Sequence, residues 1–183
     1  MPDSIIFSVA PYHIISYGTL LGTTFFHSFV NGITMFRVLE RPAFSAAQNA
    51  LFPVYFTIQA ALPAVLALTY PGSNSLLGVH AGGIRGLLDE TNRVSALLPI
   101  ATMFITGLAN LLVILPKTQK VMNARYAQEK KDGKKSYDAP PHSQEMLALN
   151  KSFGTLHGVS TLVNLAGFVA MVSYGFSLAA RLD

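Results

Sequence analysis

Four stretches of the chain carry no Lys, Arg, Asp or Glu: Ser4 to Phe36, Pro42 to Ile84, Val94 to Pro116 and Ser152 to Ala180. Each is longer than the roughly 20 apolar residues that a helix needs to cross ~30 Å of hydrocarbon. Inside them the apolar runs are continuous, as in Leu108 to Leu115, and lack the period-2 alternation of a transmembrane barrel. The pattern predicts an all-α fold: a polytopic membrane protein whose residues 1–183 form one domain, a bundle of four transmembrane helices.

Breaker residues set the expected boundaries. A first span covers about 12–36 and is closed by Arg37-Val38-Leu39-Glu40-Arg41-Pro42. A second covers about 46–70, stops at Pro71-Gly72 and is expected to kink at Pro53 and Pro63. In the loop that follows, Ile84, Leu87 and Leu88 beside Asp89, Glu90 and Arg93 fit a short interfacial turn of helix. The third span covers 94–115 and the fourth 153–179. Between these two, 116–152 reads as a basic cytosolic loop, although Lys117 to Lys131 keeps good helix formers and Ser143 is a plausible N-cap for a helix starting at Gln144. Asp132-Gly133 and Pro140-Pro141 break the pattern between those segments. The small-residue pairs Gly18/Gly22, Gly154/Gly158 and Ala60/Ala64 are expected to let helices approach closely within the bundle.

Composition agrees with a membrane location: 51% of residues are hydrophobic and mean hydropathy is +0.42. The chain has no Cys, which excludes a disulfide framework and a thiolate metal site. Met1-Pro2-Asp3 lacks the basic region of a cleaved signal peptide, so the first helix is expected to be both signal and anchor. Four spans place both termini and the second loop on one side with three Lys or Arg, against ten on the other. The bias puts the first and third loops in the cytosol and the termini outside or in a lumen. Tyr12, Tyr70 and Tyr174 would then lie near the non-cytosolic interface. Lys117, Lys120, Arg125, Lys130 and Lys131 are candidate contacts for anionic lipid headgroups, or simply a solvated loop. A homo-oligomer or a larger membrane complex is the other partner class; no nucleic acid is expected.

Polar residues recur on one face of each span. From the presumed cytosolic ends, ~1.5 Å per residue puts Asn31, Asn110 and His157 roughly 6–8 Å deep. Gln48 falls just outside them, and His27 and Asn164 deeper. The six are expected to form one inward cluster beneath Arg37, Glu40 and Arg41, with Arg37 and Glu40 spaced to form an ion pair. Two readings stay open: a solute or proton site with a basic mouth, or interhelical hydrogen bonding. Two His residues do not make a metal site without further ligands, and no cofactor is expected. The chain carries no Walker loop, HExxH, GxSxG or intramembrane carboxylate pair, so an enzyme is not expected.

Several motifs in order carry a family resemblance. His13 is followed by Ser28-Phe29-Val30-Asn31-Gly32, Phe36-Arg37, Arg41, Phe44, Gln48 and Leu51-Phe52-Pro53-Val54-Tyr55-Phe56. Then come Asn110, Leu115-Pro116-Lys117-Thr118, Met122, Glu129 and Leu156-His157-Gly158-Val159-Ser160-Thr161-Leu162-Val163-Asn164-Leu165. The set resembles the transmembrane protein 205 family of small four-span eukaryotic proteins, although this chain lacks the Trp that animal members use. The resemblance implies a four-helix fold, a place in the plasma membrane or the endoplasmic reticulum and secretory pathway, and permeation or export of a small solute. A mitochondrial membrane is the alternative location. The alternative function is a structural or accessory subunit that packs against a larger membrane complex or organises lipid.

Overall fold

The computed structural model describes residues 6, 8–75, 78–80 and 82–181; Met1-Pro2-Asp3 lies outside the described residues. Helix α1 spans residues 10–38 as Ala10–Phe25, a π-helical Phe26–Asn31 and Gly32–Val38. Helix α2 is Arg41–Leu68. A two-stranded antiparallel hairpin, β1 (Ser73–Ser75) and β2 (Gly78–His80), and a short α3 (Gly83–Leu87) follow. Helix α4 is Glu90–Asp132 and α5 is Gln144–Ala179. The fold is helical apart from the hairpin, and α2, α4 and α5 are each long and apolar enough to cross a membrane. Helix α1 is not among these; Ser16, Thr19, Thr23, Thr24, His27, Ser28 and Asn31 dilute its apolar run.

The third and fourth helices differ most from the expected boundaries. The loop expected over 116–152 is confined to 133–143: α4 continues through Pro116 to Asp132 and α5 begins at Gln144. Proline removes an N–H and its ring clashes with the carbonyl four residues back, which ordinarily breaks a helix. Here Pro116 follows the π-helical Ala109–Ile114, whose wider turn bonds the Leu115 N–H to the Asn110 carbonyl, and the helix passes. Pro99 repeats the arrangement after the π-helical Arg93–Leu97. The 43 residues of α4 extend about 64 Å, twice the hydrocarbon thickness, so its Lys-rich half projects beyond any membrane. Gly133, at φ +61°, ends α4 in the left-handed conformation that glycine adopts without strain. Ser143 caps α5 as the sequence implies, its hydroxyl accepting the Met146 N–H at 3.1 Å.

The long helices run antiparallel, α1 packing on α2, α2 on α4 and α4 on α5. Their shared core holds Leu20, Leu66, Ile100, Met103, Met171 and Leu178. Close approach is provided by glycines other than those expected. A Cβ at Gly107 would stand 2.5 Å from the Gln59 carbonyl oxygen and 2.9 Å from the Ala60 nitrogen, so α2 and α4 touch backbone to backbone. Gly167 takes the Thr106 hydroxyl and Gly175 the Tyr17 phenol. Gly18, Gly22, Gly154 and Gly158 have no neighbour within 4 Å of an added Cβ, because those faces of α1 and α5 point out of the bundle.

At the end formed by the start of α1 and the ends of α2 and α5, His13 is fully buried. The Thr69 hydroxyl donates to the Val65 carbonyl, so it accepts from His13 Nδ1–H at 3.0 Å. In a neutral ring Nε2 then accepts the Tyr174 hydroxyl at 2.7 Å, and the imidazole joins three helices. Arg181 lies over the Tyr70 ring and bonds Asn92, which donates to the Gly86 carbonyl. Tyr70 and Tyr174 are thus buried in this clamp rather than turned to headgroups, while Tyr12 is exposed.

At the opposite end, the ion pair expected between Arg37 and Glu40 is not formed. Helix α1 stops at Val38, and extended Leu39 (φ −95°, ψ 145°) takes Glu40 out of helical register. Arg41 instead lies 3.9 Å over the Phe36 ring. In the α4–α5 turn, burial alone would raise the pKa of Glu129, but the Ser136 N–H at 3.0 Å and the Lys135 ammonium at 3.5 Å outweigh it and hold the carboxyl below its usual value.

Two outcomes follow. Gly107→Ala must push α2 from α4 and should cost about 1–3 kcal/mol, read as an earlier unfolding midpoint in mild detergent, whereas Gly158→Ala should be neutral or stabilising. Because the Glu129 pKa is depressed by folding, its contribution is present above the unfolded carboxyl pKa and is lost as pH falls through the lower folded value. Hydrogen-exchange protection of the Ser136 amide should therefore collapse on acidification, and Glu129→Gln should weaken it at neutral pH.

Candidate solute site

Helices α1 and α5 stay together as far as the Ser28–Asn164 hydrogen bond and the Phe29–Phe168 ring contact at 5.1 Å. Beyond that level Gly32–Val38 packs on α2, and α5 packs on α4. Between the two pairs lies a cavity of about 680 Å³ lined by all four long helices. It occupies the half of the bundle next to the Lys-rich end of α4. From α1 come His27, Ser28, Phe36 and Arg37, from α2 Gln48, Phe52, Tyr55 and Phe56. From α4 come Met122 and Tyr126, and from α5 Phe153, His157, Ser160 and Asn164. The Tyr126 phenol reaches Ser45 at 2.7 Å, tying the projecting part of α4 to the start of α2 beside the mouth.

The inner wall is a hydrogen-bonded knot. Asn164 Oδ1 accepts from the Tyr55 hydroxyl at 2.8 Å and from Gln59 Nε2 at 2.7 Å, while its Nδ2 donates to Ser28 at 2.8 Å. Gln59 Nε2 also reaches the Tyr55 hydroxyl at 2.9 Å and Thr24 at 3.3 Å. With the Asn164 amide and the Tyr55 and Ser28 hydroxyls engaged, these groups cost little to bury. It separates the cavity from the packed core around Leu20, Leu66 and Met103.

Of the six residues expected to cluster, His27, Gln48, His157 and Asn164 line the cavity; Asn31 and Asn110 do not. Asn31 turns back to His27 on its own helix at 3.2 Å, and the His27 ring packs on Tyr55 with centroids 4.3 Å apart. Asn110 is fully buried behind the wall, where Oδ1 accepts from Ser160 at 2.8 Å. His157 is exposed to the opening and stacks on Phe153. Arg37 lines the mouth, whereas Glu40 and Arg41 stand outside it. Among the basic residues of α4, Arg125 turns inward, donating to Asn150 at 3.0 Å and covering the Phe153 ring at 4.5 Å. Lys117, Lys120, Lys130 and Lys131 are exposed. Depth counting does not find Thr24 or Ser28, because it says nothing of rotation about the helix axis. Tyr55, Gln59 and Ser160 did carry a signal, lying on the same polar stripes as Gln48 and Asn164.

Breaking the knot should be costly at its hub. Asn164→Leu leaves Tyr55, Gln59 and Ser28 without their shared partner and should destabilise by about 1–3 kcal/mol. Ser28→Ala, which removes one spoke, should cost closer to the ~0.6 kcal/mol average for hydrogen bonds in membranes. Unfolding of purified protein in detergent reads both.

A family model described as "Domain of unknown function (DUF4149)" matches residues 15–127, well over half of the chain. The chain is 30% identical over 175 residues to "Xanthocillin biosynthesis cluster protein D" of Aspergillus fumigatus, covering 96% of this chain and 92% of that protein. No solved structure matches. These matches overturn the resemblance to the transmembrane protein 205 family, which none of them indicates. They span both the cavity-lining halves of α1 and α2 and, in the relative, α5 as well. The chain belongs to the family described as domain of unknown function DUF4149.

Proposed function

We propose that the protein is a four-span membrane bundle whose cavity receives a small solute from the cytosolic side, in permeation or export. The observation that carries this is the cavity itself: four helices line it, polar groups converge in it, and the Asn164 knot closes its inner end. A vestibule closed at one end suits a site that binds a solute and releases it by rearrangement better than an open pore does. The fourth span rests on α1. If α1 lay in water, exposed Ile14, Ile15, Phe25, Phe26, Phe29 and Ile33 would form a large apolar face. The ten-to-three distribution of basic residues turns the mouth, beside Arg37 and the Lys-rich half of α4, toward the cytosol and the termini away from it. The relative's name links that protein to the biosynthesis of a compound, a setting in which a membrane protein that handles small organic molecules has a use.

A second reading, an accessory subunit, is supported by the open glycine faces at Gly18, Gly22, Gly154 and Gly158, which offer another helix a close approach. The two separate by labelling. The chain has no Cys, so single cysteines report cleanly. His157→Cys and Gln48→Cys should react with a charged, membrane-impermeant thiol reagent applied from the side of the Lys134–Lys135 turn, and Met103→Cys should not. Protection of all three positions would leave the accessory reading.

A further inference from the structure

The cavity also has a chemistry that selects its occupant, an inference that rests on the solute-site reading above. Its walls are aromatic. Phe52 and Phe56 are stacked with 13° between their planes and centroids 5.5 Å apart. Phe153 and His157 lie parallel within 7° at 6.0 Å. Such flat faces receive a flat ring in offset or edge contact, and the volume of about 680 Å³ is that of a site for a small organic molecule.

Charge narrows the class. Among the described residues no Asp or Glu lines the cavity, and Arg37 is the one Lys or Arg that does. A cationic ligand would gain ring faces but would lose its hydration beside a guanidinium, with no carboxylate to compensate. Gln48 supplies the polar requirement. It is 8% exposed, it lines the cavity, and its carbonyl Oε1 is buried without a hydrogen-bond partner. A buried acceptor in that position calls for an O–H or N–H brought by something else.

We propose that the cavity binds an uncharged, flat aromatic molecule with a hydroxyl donor, its ring against Phe52 and Phe56 and its hydroxyl donating to Gln48 Oε1. The test uses the full chain in lipid nanodiscs, with partitioning into empty discs subtracted, and three probes that share one ring system. Naphthol carries the donor, methylnaphthalene lacks it, and naphthylmethylammonium replaces it with a cation. Naphthol should bind about tenfold tighter than either of the others, the discrimination one hydrogen bond provides. Gln48→Leu should abolish the preference over methylnaphthalene while keeping ring binding, Gln48→Glu should retain that preference, and Phe52→Ala should weaken all three probes together. Equal affinity for methylnaphthalene would show an unselective apolar groove of the kind an acyl chain fills. Tighter binding of the ammonium would reverse the charge assignment. Either result overturns the proposed class and leaves the solute site standing. If none of the probes binds although His157→Cys is labelled, the class again falls alone. If none binds and no cavity position is labelled, both fall.

Discussion

Inside hydrocarbon an amide side chain has to find its partners within the protein, because no water is present to supply them. Asn164 meets that requirement with both ends of its amide at once, accepting from Tyr55 and Gln59 on α2 and donating to Ser28 on α1. Three helices are pinned at one level. On one side of that level the helices converge on an apolar core closed by the His13 clamp. On the other side no comparable hydrogen bond joins α1 to α5 among the described residues, and the two helix pairs part around a cavity. The site is therefore a consequence of where the polar knot sits along the helices.

That arrangement was partly legible in the residues. Charge-free stretches are a direct reading of the cost of burying charge, and they locate the apolar parts of all four long helices. Depth counting brought His27, Gln48, His157 and Asn164 to one neighbourhood, because 1.5 Å per residue holds through α and nearly through π turns. What it does not carry is azimuth. Asn31 and Ser28 are three residues apart, yet the first bonds its own helix while the second joins the knot. The π turns before Pro99 and Pro116 were equally hidden: a proline reads as a stop until the preceding turn widens to accept it. For that reason the residue pattern alone ends the third span at 115 and reads the Lys-rich half of α4 as loop.

Glycines show the same limit. Spacing singled out Gly18/Gly22 and Gly154/Gly158, but spacing of four only says that two residues share a face, not which face. The helices meet at Gly107, Gly167 and Gly175, where a carbonyl, a threonine and a tyrosine occupy the missing side chain's space. The outward glycines and the inward cavity point to the two functional readings, partner binding and solute handling, and these are compatible in one small protein. Membership of a family without an assigned function leaves the cavity's own chemistry as the firmest guide.

The central claim is that water reaches the cavity from one side and stops at Asn164. A nitroxide scanned along α5 from 153 to 174 tests it, by comparing collision with a water-soluble paramagnetic complex and with oxygen. Accessibility to the aqueous reagent should peak at 153, 157, 160 and 161 and fall away at 167, 170, 171 and 174, with oxygen favoured at 162, 165, 169 and 176 on the outer face when the scan is extended one turn. Oxygen contact dominating at 157 and 160 would place those side chains in lipid and contradict the account.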